Sequence, residues 1–346
     1  MTTLEESTPT IADTGKLTAW MDAQGLGVGA PLEHRYISGG SQNEIYELRR
    51  GDLHCVMRIP PPTANADRDT GILREYRITA ALDGTDVPHT PAVAVCTDHT
   101  VLGRTFYLMG FIDGWSPMGL TDRRWPEPFH SNPQERRGLA FQLIEGAALL
   151  SKVDWRERGL ADLGRPEGFH ERQVDRWTAF YERIKTRDLP GFDEAAAWLR
   201  THKPIDYIPG IMHGDYQFAN VMYRHGAPAQ LAALVDWEMG TVGDPKLDLA
   251  WVVHAWPENP DEPQAISYVD YQGMPTKAEL LDRYVEISGR QVDDMDYYCV
   301  LAKWKLAVIL EQTTSRGGPK GEAFGPIVKD LMAEAGEFAA TTDYSR

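Results

Sequence analysis

Between Ile211 and Trp251 the chain gathers His213, Asp215, Asn220, Asp236, Glu238, Asp244 and Asp248 in one stretch, spaced by short apolar runs. Carboxylates and an amide are hard oxygen donors. They suit Mg²⁺, which takes one or two carboxylates plus substrate phosphates rather than a full protein cage. Phosphoryl transfer asks for that division of labour. One Asp accepts or orients the proton of an acceptor hydroxyl, while an Asn and a second Asp hold the metal against nucleotide phosphates. Asp215, five residues ahead of Asn220, fits the first role, and Asn220 and Asp236 fit the second. Glu238 is two residues past Asp236, in range of the metal directly or through water. Asp244, before Pro245, reads as a turn residue, and Asp248 as a helix start that steadies the loop from behind.

These side chains need a frame. Val221-Met222-Tyr223 and Leu231 to Val235 are strand-like, and Arg224 to Pro228 between them carries the Gly and Pro of a turn. A hairpin is expected, with Asn220 and Asp236 at its open end and Asp215 on the loop leading in. Helices at Phe169 to Thr186 and Phe192 to His202, with aromatic residues at helical spacing, are expected to build the surrounding core.

His213-Gly214-Asp215 followed by Asn220 resembles the HGD-x4-N catalytic loop of the aminoglycoside phosphotransferase and choline kinase-like family, relatives of the protein kinases. Asp236-Trp237-Glu238 stands where that family has its metal-binding Asp. Met57-Arg58-Ile59-Pro60-Pro61 resembles a branch whose kinase domains occur alone or fused to acyl-CoA dehydrogenases. The resemblance runs from about Tyr36 to about Leu310. It implies an α+β, two-lobed protein-kinase-like fold: a small N-terminal lobe with an antiparallel sheet and a larger, mostly helical C-terminal lobe. Residues 1–35 would be a helix and linker, 36–113 the nucleotide-binding lobe, and 114–346 the lobe with the catalytic loop and acceptor site.

The same resemblance assigns further residues. Gly39, Gly40 and Ser41 lie in a turn between strands where backbone N–H groups can approach phosphates. Arg58 stands where the superfamily usually has a phosphate-pairing Lys; a guanidinium binds oxygens bidentately and is not a copy of an ammonium. Glu75, on a helix expected over Thr70 to Leu82, is its ion-pair partner. Met109 and Phe111 line the edge where adenine would meet backbone. The implied reaction moves the γ-phosphoryl group of ATP, with Mg²⁺, to a hydroxyl of a small molecule, with Asp215 as base.

The formal charge of −16 argues against nucleic acid or an anionic membrane as partner, since both are held through excess Lys and Arg. No apolar run is long enough to span a bilayer and no leader pattern opens the chain, so a cytoplasmic protein is expected. Three scattered cysteines make neither a disulfide framework nor a zinc site. The acidic stretch Pro257 to Gln272 reads as an acceptor-site rim or as a plain connecting loop. Gly317 to Gly325 reads as a Gly/Pro loop before a last helix from Pro326. Two other functions fit parts of the pattern: a catalytically weak nucleotide-binding regulatory module, suggested by Arg58, and a metal-dependent hydrolase using the His and Asp cluster.

Overall fold

The computed structural model describes residues 10–39, 43–117, 124–262 and 269–344. Gly40 and Ser41 of the expected phosphate-facing turn, and Tyr268 of the acidic stretch, lie outside them. The chain divides into two compact units, one of residues 1–114 with 232–238, the other of residues 115–231 with 239–346.

The first unit holds a five-stranded antiparallel sheet in the order β1 (Glu33–Gly39), β2 (Glu44–Arg50), β3 (Leu53–Ile59), β5 (Phe106–Gly110), β4 (Ala92–Cys96). Strand periodicity of two gives each face its own role. Tyr46, Leu48, Cys55, Met57, Phe106 and Leu108 point to one side, where Leu17 and Met21 of α1 (Thr14–Ala23) complete a dry cluster. Asp13 caps that helix by accepting from Lys16 N. The opposite face carries Ile45, Arg58 and Tyr107 in cross-strand register, and α2 (Asp67–Leu82) supplies Glu75. Between β4 and β5 stands a single helical turn, α3 (His99–Leu102), capped by Asp98 and ended by Gly103.

The second unit is mostly helical: α4 (Arg136–Lys152), α5 (Phe169–Ile184), α6 (Phe192–Thr201), α7 (Lys246–Val253), α8 (Lys277–Ser288), α9 (Met295–Ser315) and α10 (Gly318–Thr341). Leu139, Leu143, Ala147 and Leu150 of α4 are buried, as their spacing predicts. A two-stranded ribbon pairs β6 (Gly210–Met212) with β9 (Thr241–Gly243). The remaining short strands are β7 (Val221–Tyr223) and β8 (Leu231–Leu234). Arg224 N donates to Gln230 O at 2.9 Å and closes the expected turn.

One expectation is overturned here. Gly317 to Gly325 is not a loop; α10 starts at Gly318 and runs through it, with Pro326 inside the helix. Pro319 falls in the first turn, where its missing N–H would have no partner in any case. Val328, Met332, Ala335 and Ala339 are then buried along one face, and this packing outweighs the poor local propensity of the Gly/Pro stretch.

Candidate active site

In the first unit the site is built around Arg58. Its Nε lies 3.0 Å from Glu75 Oε2, and its Nη2 donates to Asp236 Oδ1 at 2.8 Å. The guanidinium fork holds two carboxylates at once, which a single ammonium would do with far less directional control. Tyr107, the cross-strand neighbour of Arg58, donates its hydroxyl to Glu75. Burial pushes the Glu75 carboxyl up to about 7; Arg58 opposes the rise, while the charges of Asp236 and Glu238 add to it. Asp236 has φ of 66°, the one non-glycine residue in the left-handed region among the described residues. Trp237 beside it is buried and donates its indole N–H to Leu234 O. Glu238 lies 3.7 Å from Arg68.

Other predicted residues of this unit are placed as follows. Gly39 ends β1 where a Cβ would sit 2.5 Å from the Tyr36 hydroxyl, so the close approach of strand and side chain requires glycine. Met109 pairs with Val56 and Ala92 inside the sheet. Phe111 stacks on the His54 ring at 3.9 Å. The N–H groups of Gly110 and Phe111 are already bonded to Pro91 O and His54 O. A backbone donor for a nucleobase would therefore have to come from beyond Phe111.

In the second unit the catalytic-loop candidates follow β6. Asp248, in the first turn of α7, accepts from His213 N at 2.6 Å and Gly214 N at 2.9 Å. Burial raises the Asp248 carboxyl above its usual range, with His213, the two backbone donors and Lys305 pulling the other way. Gly214 has φ of 84°, and a Cβ there would lie 2.5 Å from the Met239 carbonyl oxygen. The loop can therefore turn sharply only with glycine. Asp215 accepts at Oδ1 from Trp251 Nε1 (2.9 Å) and Gln217 Nε2 (2.7 Å), and at Oδ2 from Asn220 Nδ2 (2.7 Å). Asn220 Nδ2 also donates to Asp215 O at 2.8 Å. Because its amide nitrogen serves Asp215, Asn220 has Oδ1 left for a cation.

Asp244 is more than the turn residue its place before Pro245 suggests. It is fully buried, lies 2.9 Å from His170 Nε2, accepts the Tyr298 hydroxyl, and takes Lys246 N at 3.1 Å. Its partners come from α5 and α9, so the residue ties three helices together. Trp251 and Lys305 were also invisible as site residues in the sequence; the one available signal for Lys305 is a lysine on the buried Leu301 and Val308 stripe of α9. Asp270 of the acidic stretch pairs with Arg136 at 2.7 Å.

The side chains with metal-ligand chemistry carry oxygen donors only: the Asn220 amide in the second unit, and the Asp236 and Glu238 carboxylates in the first. Among the described residues no group of three or more His, Cys, Asp or Glu side chains could cage an ion. Such a set fits a hard cation that completes its shell with phosphates and water, and not a tightly held transition metal. All three cysteines are buried and free of disulfides. No helix among the described residues is long and apolar enough to cross a membrane.

A chicken (Gallus gallus) acyl-CoA dehydrogenase family member 11 is 28% identical over 328 residues, 91% of this chain and 41% of that protein. The chain thus spans about two fifths of that relative's length. A crystal structure from Ralstonia eutropha, assigned as an aminoglycoside phosphotransferase, is 28% identical with a TM-score of 0.81, covering 96% of this chain and 99% of the other. The aminoglycoside phosphotransferase APH(4)-Ia, in a ternary complex with AMP-PNP and hygromycin B, shares the fold at 13% identity and a TM-score of 0.54, covering 90% and 95%. The fold is therefore the kinase-like α+β one. The pattern of the phosphotransferase enzyme family matches residues 33–283, a span that includes every site residue singled out from the sequence, and the chain belongs to that family.

Proposed function

We propose that the chain is an ATP- and Mg²⁺-dependent phosphotransferase that moves the γ-phosphoryl group to a hydroxyl of a small molecule in the cytoplasm. The observation that carries this reading is the Asp215 carboxylate, aimed by three N–H donors, one of them from Asn220. Asp215 receives the proton as the acceptor oxygen bonds to phosphorus and the bond to the bridging oxygen of ADP breaks. Arg58, fixed by Glu75, clamps phosphate oxygens, with Gly39 and the following Gly40 and Ser41 offering backbone N–H groups. Asn220, Asp236 and Glu238 are the proposed magnesium ligands, and Met109 and Phe111 flank the nucleobase. When bound, Mg²⁺ neutralises the charge on the phosphates. APH(4)-Ia with AMP-PNP supports a nucleoside triphosphate donor by analogy of fold. The acyl-CoA dehydrogenase relative supports a metabolic alcohol or a hydroxyacyl thioester as acceptor.

The test is a metabolite screen for ATP-dependent phosphorylation with Asp215→Asn as control. Turnover of one acceptor class that disappears in the variant is expected. ATP binding without turnover across the screen would favour a nucleotide-binding regulatory module that has lost activity, the reading suggested by Arg58 in place of the usual Lys.

A further inference from the structure

Lys305 lies on α9 and is buried at 5% exposure. Its ammonium sits 4.9 Å from the centre of the Trp251 ring and 5.2 Å from that of Trp177. Among the described residues it has neither a hydrogen bond nor an ion pair within contact distance. A buried ammonium held by two indole faces instead of a carboxylate is uncommon, because desolvation of the charge is normally offset by a direct anion. The Trp251 indole that carries it on one face donates its N–H to Asp215. A cation over an indole draws charge from the ring, and the N–H becomes a stronger donor.

We propose that Lys305 is a positioning residue for the catalytic loop. Its charge, clamped between Trp177 and Trp251, strengthens the indole bond that aims Asp215 and offsets the negative charge of Asp215 and Asp248 together. The groups that face it are Asp215 on the loop, Asp248 on α7 and Arg176 on α5. Burial and Arg176 lower its proton affinity while the two carboxylates raise it, and the balance falls from the ordinary 10.5 to about 8. The catalytic meaning rests on Asp215 being the base; the coupling between Lys305, Trp251 and Asp215 does not.

That separation makes the experiment decisive without a known acceptor. In the full chain labelled with ¹⁵N-indole, the Trp251 N–H resonance is assigned with Trp251→Phe and followed from pH 6 to 10 without nucleotide. A step near pH 8 is expected in the unmodified protein. It should vanish in Lys305→Met, and Lys305→Arg should hold the low-pH position throughout. Asp215→Asn should shift the resonance at every pH. A resonance that titrates identically in Lys305→Met, or does not titrate at all, overturns the coupling. A purely structural lysine would move the melting temperature and leave this resonance unchanged. ATP hydrolysis with water as acceptor reads the catalytic half: Lys305→Met is expected to lower kcat roughly 10- to 100-fold with KM for ATP unchanged, less than loss of a direct donor. Loss in Asp215→Asn with no loss in Lys305→Met overturns the positioning role and leaves the base intact. No loss in Asp215→Asn overturns the base, and the indole titration alone then decides the coupling.

Discussion

Each unit buries one cation beside its candidate chemistry, and the two are handled in opposite ways. Arg58 touches its anions, with Glu75 at 3.0 Å and Asp236 at 2.8 Å. Lys305 touches none among the described residues, and rests on ring faces while Asp215 and Asp248 are satisfied by N–H donors. A guanidinium in contact fixes geometry, because its fork loses a directional bond if either partner moves. An ammonium at a distance supplies charge and little direction. Removing the first should disturb positions, and removing the second should disturb proton affinities.

The comparison can be broken at several points. The largest effect is expected for Asp215→Asn, a drop in kcat of roughly 10²- to 10⁴-fold with the fold retained, read as acceptor-dependent ATP turnover beside a thermal melt. Arg58→Met should follow. It leaves the Glu75 carboxyl buried beside Tyr107 without its cation, so unfolding titrations should show a loss approaching about 3 kcal/mol at alkaline pH. With Arg58 present this carboxyl titrates at about 7 and without it higher still, so the loss should be smallest below pH 7 and grow as pH rises above it. If Arg58→Met melts unchanged at pH 8, the contact is not structural and the contrast with Lys305 fails.

Asp248→Asn keeps one acceptor oxygen for two backbone donors, His213 N and Gly214 N. A loss of about 1–3 kcal/mol in stability is expected, with kcat falling more than KM rises. Lys305→Met should do the reverse and stabilise. The native lysine titrates at about 8 and the unfolded one near 10.5, so the unfolded state binds more protons between those values. The penalty of the charged lysine is complete below pH 8 and fades as pH rises to 10.5. The variant should therefore gain roughly 2–3 kcal/mol at pH 7 and progressively less above pH 8, in denaturant titrations. The smallest effect concerns the acceptor: expression in a sensitive host should leave aminoglycoside inhibitory concentrations unchanged, and a resistant phenotype would redirect the search.

Much of this was readable in the residue string where the information is local. The turn at Arg224 to Pro228 and the five-residue step from Asp215 to Asn220 are set by neighbours in sequence. Asp244 was misread because what makes it structural lies 74 residues before it in His170 and 54 residues after it in Tyr298. Lys305 was passed over for a similar reason. Its lack of a direct anion is a property of three packed helices, and no spacing rule reports it. The helix through Gly318 to Pro326 shows the converse: local propensity spoke clearly there and tertiary packing overruled it. The resemblance placed Arg58 and Glu75 together, while Tyr107 emerged only from strand register.

The backbone at Asp236 adds a constraint on how any residue there is replaced. At φ of 66° it stands where Asn, Asp and Gly are tolerated and most other side chains crowd the following carbonyl. Alanine would remove a carboxylate and also oppose the turn, two losses in one substitution. Asparagine keeps the turn and removes only the charge, so genetic variation at this codon should be confined to a very short alphabet.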